Sequence, residues 1–151
     1  MDLYEELAKL VAKLDETRVE YALCGAMALA VHGVPRATQD IDVLVPPESL
    51  DGFRDVARYC GFGFEALPMT FEASGITMHR FSKLIGGQPL MLDALVVAGA
   101  VRGVWESRIR VPFESGRLSV VSRPGLITLK LAAGRPQDLA DVKRLEELHL
   151  G

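Results

Sequence analysis

The chain has 151 residues, the length of one ordinary domain built around one hydrophobic core. Hydrophobic residues make up 49% and charged residues 25%, and these globular values exclude a disordered or fibrous chain. The formal net charge is −3, from 17 basic and 20 acidic residues, which excludes a strongly basic protein that coats itself in nucleic acid.

The first part of the chain alternates between helical and extended patterns. Asp2 followed by Glu5 resembles a capping box and predicts a helix start, and apolar residues then recur at helical spacing. Gly25 ends the first β-prone run, and Pro46-Pro47 ends the second. The predicted elements are a helix over 2–17, a strand over 19–24, a helix over 26–31, a strand over 40–45 and a helix over 48–60.

The second part predicts two strand pairs followed by two helices. Gly86-Gly87 is a hairpin signal between the first two strands, and Glu114-Ser115-Gly116 separates the next two. The predicted elements are strands over 76–83, 89–97, 108–113 and 117–122, and helices over 124–133 and 136–149. We place Leu139, Val142, Leu145 and Leu148 on one face of the last helix. The expectation is one α+β domain over 1–151, with a core over about 18–122 and C-terminal helices over about 123–150.

The sequence has no pattern typical of a membrane span, a secretory signal or a cysteine or histidine metal site. No apolar run reaches the ~18–20 residues of a membrane span, and the acidic N-terminus lacks the features of a secretory signal. Cys24 and Cys60 lie outside any CxxC pattern, and the three histidines, His32, His79 and His149, share no ligand spacing. We therefore expect a cytoplasmic protein with reduced thiols and no membrane partner.

Two aspartates on the predicted strand 40–45 carry the strongest chemical signal. Alternate side chains of a strand share a face, so Asp40 and Asp42 project together while Ile41 and Val43 point into the core. Two carboxylates on one face repel each other unless a cation lies between them, and Mg²⁺ takes oxygen ligands of this kind. A solvated strand end is the simpler alternative.

A third aspartate, Asp93, lies inside the apolar run 89–97. An unpaired charge in such a strand is costly, so Asp93 should have a cation partner or face a cleft. Three aspartates could hold two metal ions ~3.5–4 Å apart, an arrangement that serves in-line displacement at phosphorus. Pairing with an arginine is the structural alternative for Asp93.

The spacing of these residues resembles a family signature. Leu23-Cys24-Gly25-Ala26, thirteen further residues and then Asp40-Ile41-Asp42-Val43 is similar to the motif of the DNA polymerase β-like nucleotidyltransferase superfamily. The run from His32 through Arg36 and Thr38 to Asp42 looks like its small AbiEii toxin-type branch. The late segment containing Lys130, Arg135, Asp138 and Asp141 is similar to that branch's Lys…Arg…Asp-x-x-Asp motif. The resemblance covers about 20–145.

The resemblance implies a fold, a reaction and roles for residues. The fold would be a mixed sheet backed by helices, with a short C-terminal helical hairpin. The reaction would be Mg²⁺-dependent transfer of a nucleoside monophosphate from an NTP to a hydroxyl, with release of pyrophosphate. Asp40, Asp42 and Asp93 would be catalytic and ligate two Mg²⁺ ions. The nucleotide-binding residues would be Gly25, Ala26, Arg36, Thr38, Lys130 and Arg135.

The acceptor stays open between a tRNA 3′ end, a protein hydroxyl and a small molecule such as an aminoglycoside. The resemblance favours a macromolecule in a toxin–antitoxin-like system. Few residues follow the core, so the acceptor site would come from the cleft itself, from a second subunit of a homodimer or from a partner protein. Cys24 and Ala26 stand where the family often has Gly and Ser. They favour the alternative of a non-catalytic protein that binds a partner or senses nucleotide.

Several other residues have competing interpretations. Lys130 could contact phosphate or extend its ammonium to water. Arg135, Asp138 and Asp141 could form a charged patch that stabilises the last helix. His32 is interpreted as a capping or core histidine and Trp105 as a core anchor. The segment 98–135 contains seven basic residues and only two acidic ones. These basic residues could line a groove for triphosphate or an RNA end, or they could form a solvated face of a hairpin.

Overall fold

A mixed β-sheet forms the centre of the structure and is covered by helices. The computed structural model describes residues 1–72, 74–114 and 116–150, the last two by backbone only. The central residue of the predicted 114–116 turn, Ser115, and the side chain of His149 therefore lie outside the described residues. Among these residues, no helix is both long and apolar enough to cross a bilayer.

The element order confirms the α+β class. The helices are α1 (Leu3–Glu16), α2 (Gly25–Val31), α3 (Leu50–Tyr59), α4 (Arg102–Glu106), α5 (Arg123–Ala133) and α6 (Pro136–Leu150). The strands are β1 (Ala22–Cys24), β2 (Asp40–Val45), β3 (Phe64–Glu65), β4 (Met69–Thr70), β5 (Thr77–Ile85), β6 (Gln88–Val96), β7 (Ile109–Phe113) and β8 (Gly116–Val120). Short 3₁₀ turns at Pro47–Ser49 and Gly99–Val101 precede α3 and α4.

The strand order within the described residues is β3-β5-β6-β2-β1-β8-β7, and β4 pairs with β5. β2 is antiparallel to β1 and parallel to β6, while β5 and β6 form a long antiparallel hairpin. β2 therefore lies in the interior of the sheet, between two strands that come from distant parts of the chain.

The core follows from the apolar pattern of each element. In α1, the Asp2 carboxylate accepts a hydrogen bond from the Glu5 N–H at 3.1 Å, and Leu7, Leu10 and Leu14 are buried at helical spacing. The inward side chains of β2 are completely buried, as are Leu90, Leu92 and Ala94 of β6. Residues 43–45 of β2 are buried on both faces, which explains why this half of the strand is a continuous hydrophobic run.

The structure corrects the sequence expectations in three places. The strands β3 and β4 were not predicted, because each has two residues and is defined by its pairing with β5. Helix α4 was also missed. The predicted apolar face of α6 is wrong in part, since Val142 and Leu145 are buried but Leu139 and Leu148 are half exposed. The inward side of α6 carries two buried aspartates instead, which are described below.

Candidate active site

Strand β2 presents two carboxylates on one face. Ile41 and Val43 are completely buried, and the alternating Asp40 and Asp42 are only partly covered. The Thr38 hydroxyl accepts a hydrogen bond from the Asp40 N–H at 3.1 Å. Thr38 therefore fixes the backbone where β2 begins, and it acts on Asp40 through the main chain.

A row of four polar side chains crosses the sheet at Asp42. Asp42 lies opposite Cys24 on β1 and opposite Asp93 on β6, and Asp93 lies opposite Arg80 on β5. Residues directly opposite each other share a face of the sheet, so these four side chains are neighbours. Asp93 is 4% exposed. The structure thus brings Asp40, Asp42 and Asp93 together.

Arg80 binds Asp93 through both carboxylate oxygens. Its Nε donates to Oδ1 at 2.8 Å and its Nη2 donates to Oδ2 at 2.9 Å. This fork-to-fork geometry is the strong form of a charge-assisted hydrogen bond. Sequence reasoning missed Arg80. The two-residue turn Gly86-Gly87 carries the signal that could have found it, because counting outward along both strands from that turn brings Arg80 opposite Asp93.

The pKa values of Asp40 and Asp42 are both raised. Burial, followed by the charges of Asp93 and Asp40, raises the pKa of Asp42 from 3.8 to about 7. Burial and the charge of Asp93 also raise the pKa of Asp40. Arg80 opposes both shifts and does not cancel them. The cluster therefore holds more negative charge than its own residues neutralise, a condition that favours binding of a cation.

Gly25 gives the Asp42 carboxylate its space. Its φ is +68°, a left-handed conformation that glycine adopts readily. A Cβ at this position would collide with Asp42 Oδ2 and lie 2.8 Å from the Asp42 Cβ. Helix α2 begins at Gly25, so its first residues, including Ala26, lie beside the carboxylate. Cys24 precedes it as a completely covered thiol, whose pKa is raised by burial and by the charge of Asp42.

A second charged cluster joins α5 and α6 through Asp138. This aspartate is 1% exposed and accepts from Arg135 Nε at 2.6 Å, from Arg135 Nη2 at 3.1 Å and from Lys130 Nζ at 3.3 Å. The Arg135 hydrogen bonds are the main reason why the pKa of Asp138 is lowered. Lys130 thus bonds a buried carboxylate and does not simply extend into water.

Asp141, the other buried aspartate of α6, ties the segment before β2 to this cluster. Its Oδ1 accepts from Arg36 Nη1 at 2.6 Å, and its Oδ2 lies 3.2 Å from Lys130 Nζ without hydrogen-bond geometry. Burial and the charge of Asp42 raise the pKa of the Cys24 thiol, and the positive charge of Lys130 opposes this rise. Arg36, Lys130, Arg135, Asp138 and Asp141 therefore form one ion-pair network that docks α6 close to the sheet.

The remaining candidates have separate surroundings. His32 Nε2 lies 2.8 Å from the Val121 carbonyl, and Trp105 is 8% exposed with the Arg108 guanidinium over its ring. A cleft of about 770 Å³ between the end of α1 and the β7–β8 hairpin is bordered by Arg108, Arg110 and Arg117, and also by Arg18. It shares no lining residue with the aspartate cluster. Of the seven basic residues in 98–135, three border this cleft and two, Lys130 and Arg135, belong to the ion-pair network.

The three aspartates of the cluster differ in how well they suit a divalent cation. Asp40 and Asp42 fit such an ion, because their carboxylates share a face of β2 and the missing side chain of Gly25 makes room for the Asp42 carboxylate. Among the side chains of 1–72, 74–114 and 116–148, no three His, Cys, Asp or Glu residues form a ready metal-binding group. Asp93 is the carboxylate that differs, since Arg80 holds both its oxygens.

Comparison with known proteins relates this arrangement to a fold. No family model matches the chain, and no curated protein matches it. Among solved structures, ANT(2″)-Ia bound to adenylyl-2″-tobramycin has a TM-score of 0.66 at 19% identity, over 98% of this chain and 89% of that one. A solution structure of ANT(2″)-Ia, described as an antibiotic-resistance factor, gives 0.64 at 18% identity over 98% and 84%.

A further similar structure is TM1012 of Thermotoga maritima, a candidate nucleotidyltransferase, with a TM-score of 0.64 at 16% identity over 93% of this chain and 90% of that one. TM1012 is described as a nucleotidyltransferase, ANT(2″)-Ia is bound to an adenylylated product, and the likeness to both extends over nearly the whole chain. The α+β architecture, with its mixed sheet and covering helices, is therefore the nucleotidyltransferase fold.

Proposed function

We propose that the protein is a metal-dependent nucleotidyltransferase of the polymerase β-like superfamily. It transfers a nucleoside monophosphate from an NTP to a hydroxyl group and releases pyrophosphate. One observation carries the proposal: Asp40, Asp42 and Asp93 cluster on the sheet beside Gly25, whose missing side chain makes room for the Asp42 carboxylate. The likeness to structures described as nucleotidyltransferases supports the same reaction class.

Each part of the cluster has a role in this proposal. Asp40 and Asp42 would hold Mg²⁺, which when bound neutralises triphosphate charge and lowers the pKa of the attacking hydroxyl. Gly25 and Ala26 would let the triphosphate approach the main chain beside Asp42. Asp93, fixed by Arg80, would orient the acceptor hydroxyl. The acceptor oxygen then bonds to the α-phosphorus, the bond from that phosphorus to the pyrophosphate oxygen breaks, and the hydroxyl proton passes to a carboxylate or to water.

The basic members of the ion-pair network have supporting roles. Arg36, Lys130 and Arg135 carry three positive charges against the two carboxylates of Asp138 and Asp141. This excess of one positive charge supports a contribution to triphosphate binding, through attraction rather than a free phosphate ligand. Thr38 would act by holding Asp40 in place.

The finer assignments are proposals too. We propose that the single domain over 1–151 works in the cytoplasm, where its two free cysteines stay reduced, and that it belongs to the AbiEii-type branch. We favour a macromolecular acceptor, a tRNA end or a protein hydroxyl, in a toxin–antitoxin-like system with a second subunit or partner protein. The adenylyl-tobramycin bound by ANT(2″)-Ia makes an aminoglycoside the small-molecule alternative.

A non-catalytic protein that senses nucleotide or binds a partner is the second candidate. The Arg80–Asp93 pair favours it, because both oxygens of the third carboxylate are already occupied. The excess negative charge at Asp40 and Asp42 favours the enzyme, since a cation is then needed to complete the site.

Label transfer decides between these candidates. The protein is incubated with Mg²⁺ and each α-³²P-labelled NTP in turn, in separate reactions with total tRNA, a protein lysate and tobramycin. Asp42→Asn should abolish transfer, and Asp51→Asn, at an exposed surface carboxylate, should preserve it. Label on one acceptor class would identify the substrate type. Absence of both label transfer and Mg²⁺-dependent NTP binding would reject the enzyme in favour of the non-catalytic protein.

A further inference from the structure

The neighbour of Asp93 distinguishes this site from a plain cluster of three carboxylates. Arg80 and Asp93 are directly opposite each other in the β5–β6 hairpin, so strand pairing itself sets their separation. The guanidinium donates one hydrogen bond to each oxygen of the carboxylate, and both donor–acceptor distances are below 3 Å. The Asp93 side chain is only 5% exposed, whereas the Arg80 side chain is 41% exposed.

The charges around Arg80 have a simple balance. Asp40, Asp42 and Asp93 supply three negative charges when ionised, and Arg80 supplies one positive charge next to Asp93. The two charges left over belong to Asp40 and Asp42, the carboxylates without a basic hydrogen-bond partner among the described contacts. One divalent cation neutralises them. A second ion at Asp93 would have to approach the guanidinium closely, against its positive charge.

We propose that this chain has a one-ion site, in which the Arg80 guanidinium takes the place of a second metal ion. The inference rests on the proposed function, and it differs from the two ions that the family resemblance implies. Asp40 and Asp42 bind the ion. Asp93 is a positioning residue held by Arg80, and the exposed part of the guanidinium faces the region where phosphate charge would lie.

Counting bound ions tests this directly and needs no turnover. The probe is Mn²⁺ alone, and the electron paramagnetic resonance signal of the free ion reports how many ions each chain binds. We expect one Mn²⁺ per wild-type chain. Arg80→Gln keeps a polar side chain of similar reach but removes the charge, and it should raise the number to two because Asp93 becomes free to ligate.

Matched variants separate Arg80 from any other arginine. Arg54 also binds both oxygens of a carboxylate on the sheet, donating to Glu65 at 2.8 and 3.3 Å, at a position away from the aspartate cluster. Arg54→Gln should leave the number at one. Asp93→Asn in the wild-type background should also leave it at one, and this variant tests the proposal even if Arg80→Gln fails to fold.

The outcomes separate the inference from the function that it rests on. Two Mn²⁺ ions per wild-type chain, an unchanged count of one in folded Arg80→Gln, or loss of the ion in folded Asp93→Asn would each overturn the one-ion site and leave the proposed nucleotidyltransferase intact. No bound Mn²⁺ in the wild type would overturn the one-ion site, and label transfer together with Mg²⁺-dependent NTP binding would then decide the proposed function. One ion that is lost in Asp42→Asn and doubled in Arg80→Gln supports both.

Discussion

Gly25 and Asp42 are in direct contact, and the contact leaves no volume for any side chain at residue 25. A Cβ there would overlap Asp42 Oδ2, at a backbone φ of +68°. This contact therefore holds the junction of β1 and α2 against the Asp42 carboxylate on β2. The glycine of the sequence motif is thus explained by a steric requirement of the aspartate, in addition to any approach of a ligand.

Gly25→Ala should damage both folding and metal binding. The methyl group would meet Asp42 in a conformation that L-residues avoid, so we expect a loss of about 2–4 kcal/mol in the free energy of unfolding. Urea denaturation measures the loss, and Mn²⁺ titration measures the displaced carboxylate. Ala26→Gly is the matched control, with an expected cost of about 1 kcal/mol or less. Equal losses in the two variants would contradict the steric account.

Asp42 should make the protein less stable as pH rises from about 4 to 7 in the presence of EDTA. The unfolded carboxyl loses its proton near pH 4 and the folded one near 7, so in this interval folding takes up a proton and becomes less favourable. The stabilisation is complete below pH 4 and gone above pH 7. Its size is on the order of 3–4 kcal/mol.

Asp42→Asn isolates this effect. Urea denaturation at several pH values should show that the variant lacks the decline over pH 4–7 and is the more stable protein at pH 8. Other groups titrate in both proteins, so the difference between the two curves is the quantity to compare. Parallel curves would show that the folded Asp42 carboxyl ionises normally.

Lys130→Met should destabilise the docking of α6. The ammonium contacts Asp138 and Asp141, which are both almost completely buried, and its loss leaves their negative charge less compensated. We expect a cost on the order of 3 kcal/mol. Thermal or urea unfolding measures it. Lys143→Met, on an exposed position of α6, should change stability by less than about 0.5 kcal/mol.

NTP binding by the same variants tests the phosphate role of Lys130. Lys130→Arg keeps the charge and should retain most of the affinity, whereas Lys130→Met should lower it even at a temperature where the variant is fully folded. Unchanged NTP affinity in folded Lys130→Met would assign Lys130 to structure alone.

Arg18→Gly should stabilise the end of α1. Arg18 has a φ of 58°, and its N–H and that of Val19 close the helix by bonding the Asp15 and Leu14 carbonyls. Glycine is the usual residue there, because an L-residue in this conformation costs roughly 1–2 kcal/mol. Urea denaturation should show a gain of up to about 1 kcal/mol for Arg18→Gly and none for Arg18→Ala. A loss in the glycine variant would mean that the arginine side chain stabilises this turn.

The sequence predicted those helices and strands that are specified by their own residues and by neighbouring turns. The bounds of β2 agree with the prediction, because alternating aspartates and β-branched residues between turn signals specify a strand without reference to the rest of the chain. The hairpin of β5 and β6 agrees with the prediction of two strands joined at Gly86-Gly87, which is a local turn signal. The sequence groups Asp93 with Asp40 and Asp42 because a charge in an apolar strand needs a cation or a cleft, and the structure places Asp93 opposite Asp42.

What escaped prediction depends on contacts between distant segments. Strand β3 exists only because Phe64 and Glu65 pair with β5. The inward face of α6 is polar at Asp138 and Asp141, since Lys130, Arg135 and Arg36 meet them there. Apolar periodicity alone assigned that face to leucines. A buried ion-pair network has no simple period along the sequence, so its members cannot be matched without the fold.

The row Cys24–Asp42–Asp93–Arg80 also has a consequence for folding order. Its members come from four strands, and Asp42 and Asp93 meet through a parallel pairing that closes only after the whole segment between β2 and β6 is in place. A ligand that binds the finished row meets its site only late in folding. Such a ligand should slow unfolding and leave the folding rate nearly unchanged, so it would lengthen the lifetime of the native chain without helping it to form.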